Sequence, residues 1–444
     1  MNRLLASVGE YFSRVIQRFL PDAFVLVIFI TAITFIMGVA FVGQTPMQML
    51  TYWGDGIWSL LAYTMQIALV LLTGFIFAHT RPVQKVLKAI AAPIKKPSTA
   101  IMMAAFIGAI GSLISWAFGL IVGALIAREL ARNVKGVHYP LLVAAAYAGF
   151  VVWHGGLSGS ALLTVATPGH FLEDTIGVIP IANTIYSTPN LILILILVIT
   201  IPIIMKLMMP SKDKVIEYQE DEKSASLLVE PRKEPQHTMG FAQKLENHRF
   251  GSLLLGGGLT IYTIYYFATG GGLDLDSLNL TFFSLGILFS NSPMHYIQMA
   301  KEAGKNIANV VVQYPLYAAI MGMMTASGLA AAMTDLMVSS TNANMLPIFT
   351  FISAGLVNMF VPSGGGQWII QGPIVVPVAQ QLGVEVERVV LAVAWGDAWT
   401  NMLQPFWALP LLAIAGLGIR DIMGYCAVIL IWVLFVFTGV FLLF

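Results

Sequence analysis

Residues 99–127, TAIMMAAFIGAIGSLISWAFGLIVGALIA, carry no charge over more length than a helix needs to cross a bilayer. Arg81, Lys85, Lys88, Lys95 and Lys96 precede the run, and Arg128, Arg132 and Lys135 follow it. Basic residues next to a membrane segment favour the cytoplasm, so both ends belong on one side. A single crossing helix cannot begin and end there. A re-entrant hairpin can, and GAIGS at 108–112, with Ser115 just beyond it, supplies a turn at mid-depth.

Further apolar runs lie near 23–43, 57–78, 139–165, 190–209, 250–269, 279–291, 307–332, 345–382, 389–416 and 421–443. With 58% of 444 residues hydrophobic and 10% charged, the expected class is an all-α polytopic membrane protein. Run 345–382 is read as a second hairpin, broken at VPSGGGQ (361–367). With the N-terminus inside, two hairpins put 22 of the 23 Lys and Arg residues in the cytoplasm and only Arg388 outside. An ordinary crossing at 99–127 would strand at least 13 of them outside. The formal charge of +1, without a basic stripe and interleaved aromatics, gives no sign of a nucleic-acid partner. The single cysteine, Cys426, lies in the last apolar run; it rules out a disulfide framework or thiol metal cluster and is read as packing.

These readings divide the chain. Residues 1–22 are basic and amphipathic without a small-residue cleavage site, and are expected to remain as an interfacial helix. Residues 23–209 form a first repeat around the hairpin near 99–127. The polar stretch 210–249 is expected to be a cytoplasmic linker, disordered or loosely helical. An extra span at 250–269 precedes a second repeat, 279–444, around the hairpin near 345–382. Each repeat runs span, span, hairpin, span, span, with directions reversed between them. The expected fold is therefore an inverted-topology repeat of about nine full spans plus two re-entrant hairpins, with an external C-terminus.

Irregular backbone at membrane depth is tolerated where protein or a water-filled cavity covers it, and inverted-repeat carriers build their substrate sites from such breaks. Polar side chains collect at the breaks here: Ser112 and Ser115 in the first hairpin, Ser363, Gln367 and Gln371 in the second. The spans after the hairpins are also interrupted, at VVWHGGLSGSALLT (151–164) and AWGDAWTNMLQPFWALP (394–410), which add His154, Ser158, Ser160, Asp397, Thr400, Asn401 and Gln404. Gly364, Gly365 and Gly366 allow close approach of a ligand or merely of a neighbouring helix. Ser and Thr hydroxyls can bind a solute or satisfy backbone carbonyls. His154 is a candidate ligand or a satisfied core histidine. Asp397 is the one carboxylate well inside an apolar span, a position that usually marks function. Trp116, Trp153, Trp368, Trp395, Trp399 and Trp407 wall an apolar pocket or anchor the chain at the interface.

Through WHGGLSGSALLTVATPGH, VPSGGGQWIIQGP and GDAWTNMLQPFW, over most of its length, the chain resembles the bacterial short-chain fatty acid transporter family, the type associated with uptake of acetoacetate and butyrate. It is also similar to the wider ion-transporter superfamily of elevator-like carriers. That likeness implies an inner-membrane protein with a mobile domain of hairpins and broken spans on a static, often homodimeric, scaffold. The chain lacks the tandem Ser-Asn-Thr signatures that sodium-dicarboxylate members carry at both hairpin tips.

No Lys or Arg occupies the middle of a span, so an anion at mid-depth must be held by helix N-termini and hairpin-tip N–H groups. Such partial charges suit a small monocarboxylate whose tail meets apolar walls. The expected substrate-binding set is Ser112, Ser115, His154, Ser158, Ser363, Gly364, Gly365, Gly366, Gln367 and Asn401. Asp397 would repel that carboxylate unless protonated or screened, which points to cation-coupled symport. Asp397, Thr400 and Asn401 are the expected coupling-cation residues. The ion is a proton or sodium, and no other cofactor is expected. Rival readings are a carrier for dicarboxylates or acylated amino acids, a passive anion channel, and an intramembrane serine protease suggested by GLSG at 156–159.

Overall fold

A backbone in hydrocarbon must pair its own N–H and C=O groups, and this chain does so as helix. The structure is a computed structural model that describes residues 23–219 and 240–444, among which there is no strand. The amphipathic segment expected at 1–22 and the centre of the linker, 220–239, lie outside the described residues.

The first half contains α1 (Ala23–Val42), α2 (Pro46–Gly56), α3 (Leu61–Ala78), α4 (Arg81–Ala91), α5 (Pro97–Ile114) and α6 (Trp116–Asn133). It continues through α7 (Tyr139–Gly149), a 3-10 turn at Phe150–Gly155, α8 (Ser160–Ala166) and α9 (Thr188–Leu207). The second half contains α10 (Arg249–Ala268), α11 (Leu275–Leu288), α12 (Pro293–Ala326), α13 (Leu329–Ser340), α14 (Leu346–Asn358) and α15 (Gly364–Leu382). Then come α16 (Val386–Thr400), a 3-10 turn at Asn401–Leu403, α17 (Pro405–Ala415) and α18 (Ile419–Leu443).

Seven helices among the described residues are long and apolar enough to cross a membrane, or eight if α12, bent by 47°, is one span. One of the seven is α5, an arm of the expected first hairpin, so six of the about nine spans suggested by the sequence are matched, or seven with α12. The unmatched runs lie in the second half, where polar and breaking residues interrupt them. The run near 279–291 becomes the 14-residue α11, roughly 21 Å long against a hydrocarbon core of about 30 Å. The run 389–416 divides into α16 and α17 at Gln404.

Both candidate hairpin runs fold back on themselves. Ser115 alone, in extended conformation, joins α5 to α6. A Cβ on Gly111 would stand 3.1 Å from the Gly119 Cα and 3.7 Å from the Val122 Cβ, far closer than eight or eleven residues allow along one helix. In the second run, Gln371 Nε2 donates to Ser353 Oγ at 3.1 Å and Gln367 Nε2 to the Ala354 carbonyl at 2.9 Å.

Packing sorts the helices into two bodies. The α7–α8 stretch is 94% buried; α5, α6, α15 and α16 pack around it, with α9 and α18 alongside, and α14 packs on α16. Helices α1, α2, α3, α10, α11 and α12 form an outer frame. Only 17% of α10 is buried, and Leu254, Ile261 and Ile264 on it are exposed, as suits a helix in lipid. The frame meets the inner body where α3 lies on α6 and α12 lies on α15, with α13 packed between α12 and α15.

Candidate functional site

Both hairpin tips and both interrupted spans converge in the middle of the molecule. Leu157 N–H donates to the Leu113 carbonyl at 2.7 Å, and Trp116 N–H to Ser158 Oγ at 2.8 Å, tying the first tip to the first interrupted span. At the second tip Ser363 caps α15, its Oγ accepting from Gly366 N–H at 3.2 Å and its carbonyl from Gln367 N–H at 2.7 Å. Ser363 Oγ also donates to the Tyr314 hydroxyl at 2.8 Å. The tip is glycine for a steric reason: a Cβ on Gly364 would lie 2.6 Å from the Trp153 ring and 2.8 Å from His154 Cε1.

Behind the tips lies a polar cluster without solvent exposure. His154 Nδ1 is 3.0 Å from Asp397 Oδ2, and Ala161 N–H donates to His154 Nε2 at 3.1 Å. Since Nε2 accepts, the ring proton sits on Nδ1 and His154 donates to Asp397 as a neutral imidazole. Asn401 accepts at Oδ1 from Trp153 Nε1 (2.8 Å) and at its carbonyl from the Tyr147 hydroxyl (2.7 Å). Asn358 Nδ2 donates to the Asp397 carbonyl (2.7 Å) and to Thr400 Oγ1 (2.8 Å), and Gln404 Nε2 donates to the Asn358 carbonyl. Thr400 Oγ1 in turn donates to the Gly355 carbonyl at 3.0 Å. Three buried oxygens here, Asp397 Oδ1, Asn358 Oδ1 and Gln367 Oε1, have no hydrogen-bond partner among the described residues. Unsatisfied acceptors at such depth are costly and call for a reason. Among the described residues there is no group of three His, Cys, Asp or Glu side chains able to hold a metal. A sodium shell here would rest on one carboxylate with neutral oxygens.

In front of the tips is a cavity of about 320 Å³. Trp116 at the start of α6, Gly364 at the start of α15 and Trp407 in the first turn of α17 line it, so the first turns of three helices contribute to its wall. Ser160, Ser363, Gln313 and Tyr314 supply hydroxyl and amide groups; Ile67, Leu71, Leu120, Val310, Leu409, Pro410 and Ala413 form the apolar wall. Trp116 and Trp407 meet edge-to-face, with ring centroids 5.5 Å apart. Lys305, paired with Glu302 at 2.5 Å and largely exposed, stands on the wall at the mouth.

Of the residues expected from sequence to bind substrate, Ser363 and Gly364 line this cavity. His154, Gln367 and Asn401 belong to the buried cluster with Asp397 and Thr400. Ser112 Oγ donates back to the Gly108 carbonyl at 2.7 Å, and Ser158 holds the Trp116 N–H. Ser115 is buried in the first tip, beside Gly74. A Cβ on Gly365 would lie within 2.7 Å of the Tyr63 and Tyr314 hydroxyls, and one on Gly366 within 2.6 Å of Tyr317. His154 and Ser158, the pair behind the protease reading, spend their polar atoms on other partners. Gln313 and Tyr314 of α12 are not among the residues expected from sequence, and Lys305 enters there only as one of the cytoplasmic basic residues. The signal was available in VVVQYPLY (310–317), where an amide and a phenol precede a proline inside an apolar run.

The sequence profile of the short chain fatty acid transporter family matches residues 4–444. The chain belongs to that family. The transporter is 40% identical over 430 residues to a protein of Escherichia coli (strain K12) and 37% identical over 437 residues to one of Haemophilus influenzae. In each case 97% of both chains is covered, and both proteins carry the name "Putative short-chain fatty acid transporter". Its fold is similar to the crystal structure of the Alcanivorax borkumensis YdaH transporter, with a TM-score of 0.60 at 12% identity, covering 95% of this chain and 98% of that one.

Proposed function

We propose that the transporter imports short-chain monocarboxylates such as butyrate or acetoacetate across the inner membrane by symport with a cation taken up at Asp397. One largely apolar cavity walled in part by the first turns of three helices, with the Gly364 end of α15 facing it, carries this reading. N-terminal N–H groups hold a single carboxylate by partial charge. The Trp116, Trp407, Ile67 and Leu71 walls receive an acyl tail. A dicarboxylate would bring a second charge against an apolar wall.

Coupling follows from the cluster behind the tip. A charged Asp397 facing a neutral His154 leaves net negative charge one residue's width from the Gly364 tip, where the substrate carboxylate binds. A cation on the partnerless Asp397 Oδ1 removes that repulsion, and the same ion thereby favours substrate. A proton needs Asp397 alone; sodium needs the nearby Asn358, Gln367, Thr400 or Asn401 oxygens as well.

In this reading α5–α6 opens toward the cytoplasm and α14–α15 toward the outside, as re-entrant hairpins of an inverted repeat. The N-terminus and the 210–249 linker are cytoplasmic and the C-terminus external, on the charge argument. The test is uptake of labelled butyrate into proteoliposomes with pH and sodium gradients imposed separately. Accumulation driven by one gradient identifies the ion. Equilibration without accumulation under either would make the protein a passive pathway and defeat the symport reading.

A further inference from the structure

A second chamber, about 230 Å³, lies beyond the first, lined by Ser59, Tyr63, Gln66, Thr164, Thr167 and His170 among others. Two helices, α3 and α8, pass from one chamber to the other in the same order, and a third, α12, reaches the wall between them. On α3, Leu71 and Ile67 line the cavity and Tyr63 the second chamber, so Leu71 and Tyr63 are separated by roughly 12 Å of helix. On α8, Ser160 lines the cavity and Thr164, one turn later, the second chamber. On α12, Lys305, Val310 and Tyr314 run from the cavity mouth toward the wall between the chambers.

That wall is one pair of phenols thick. Tyr314 faces the cavity and Tyr63 the second chamber, their ring centroids 6.0 Å apart. The Gly365 backbone fills the remaining gap, leaving no room for a Cβ against either hydroxyl. Each phenol belongs to the outer frame and is tied to the inner body. Ser363 Oγ at the hairpin tip donates to the Tyr314 hydroxyl at 2.8 Å. The Tyr63 and Thr164 hydroxyls are 3.1 Å apart; the Thr164 proton is directed to the Ser160 carbonyl at 2.5 Å, so the phenol donates to Thr164.

We propose that the two chambers are consecutive halves of one solute path and that Tyr63 with Tyr314 is the gate between them, closed in this conformation. The path is open on the Lys305 side and shut on the side of the 167–171 loop. The second chamber is an antechamber for the same small carboxylate, which rests on the function proposed above. Two hydrogen bonds between frame and inner body latch the gate, so displacement of one body against the other breaks the latch and parts the rings.

Thiol accessibility tests this without any transported solute, so it stands or fails separately from butyrate uptake. In a Cys426→Ala background, Leu71→Cys reports the cavity and Ser59→Cys the antechamber. In sealed vesicles of each orientation, an impermeant thiol reagent should modify Leu71→Cys at least about tenfold faster from the Lys305 side, and Ser59→Cys faster from the other. Adding Tyr63→Ala should make Leu71→Cys reactive from both sides at similar rates. If Tyr63→Ala does not yield folded protein, Tyr63→Phe, which keeps the ring but loses the latch, should raise the slow rate about tenfold. Equal access to Leu71→Cys from both sides in the intact chain overturns the gate. So does continued one-sided access in whichever folded Tyr63 variant is read.

Discussion

At the scale of single residues, Asp397 and His154 form a unit that 243 positions of sequence separate. Asp397→Asn preserves a partner for the His154 Nδ1–H but removes the titrating charge, so gradient-driven accumulation should fall to background. Exchange of labelled for unlabelled substrate without gradients then distinguishes the ions. It should survive if the aspartate carries a proton, and be lost if it ligates sodium. Full accumulation by Asp397→Asn would make the residue structural. Gly364 and Gly365 differ although adjacent. A Cβ on Gly364 meets Trp153 and His154, two rings stacked 4.1 Å apart and fully buried, whereas on Gly365 its nearest contacts are the hydroxyl ends of two tyrosines. Gly364→Ala should therefore cost about 1–3 kcal/mol of stability by overpacking and Gly365→Ala less. Thermal unfolding in detergent, followed by tryptophan fluorescence, measures the pair. Equal losses would show that the second tip yields as a whole.

Among the elements, the proposed topology turns on the first hairpin. The chain reverses at Ser115 because the glycines at 111 and 119 let α5 and α6 touch there, and the cavity lies where that reversal meets the second one. Cysteines placed singly at Ser98 and Lys135, at the outer ends of α5 and α6, should react with an impermeant reagent from the same membrane side in the Cys426→Ala background. Reaction from opposite sides would turn 99–127 into a crossing and remove the inverted repeat.

For the whole molecule, the proposed sidedness rests on charge. Basic residues cluster around the first hairpin and on the linker, while Arg388 stands apart at the start of α16. An epitope inserted within 210–249 and another after Phe444 should be accessible from opposite faces of sealed vesicles, the linker's from the cytoplasmic face. Both on one face would require an even number of crossings between them and refute the proposed frame.

The sequence by itself determined the membrane class, the family and the places where helices stop. Charge beside an apolar run and glycine or proline within it act over a few residues, where chain order is enough. Thus the interruptions at GGLSG and TNMLQP were legible, and α7 gives way at Phe150 and α16 at Asn401. Only the tertiary structure decided which polar groups share a cavity and which are sealed behind it. Along one helix, spacing fixes the face a side chain presents but not what another element brings against it. Ser363 and Gln367 lie four residues apart, yet one lines the cavity and the other bonds Ala354 in the buried cluster. Tyr63 and Tyr314, each unremarkable in its own apolar run, became a barrier only when α3 and α12 were laid side by side, because contact across 251 residues of chain is set by packing of the whole frame.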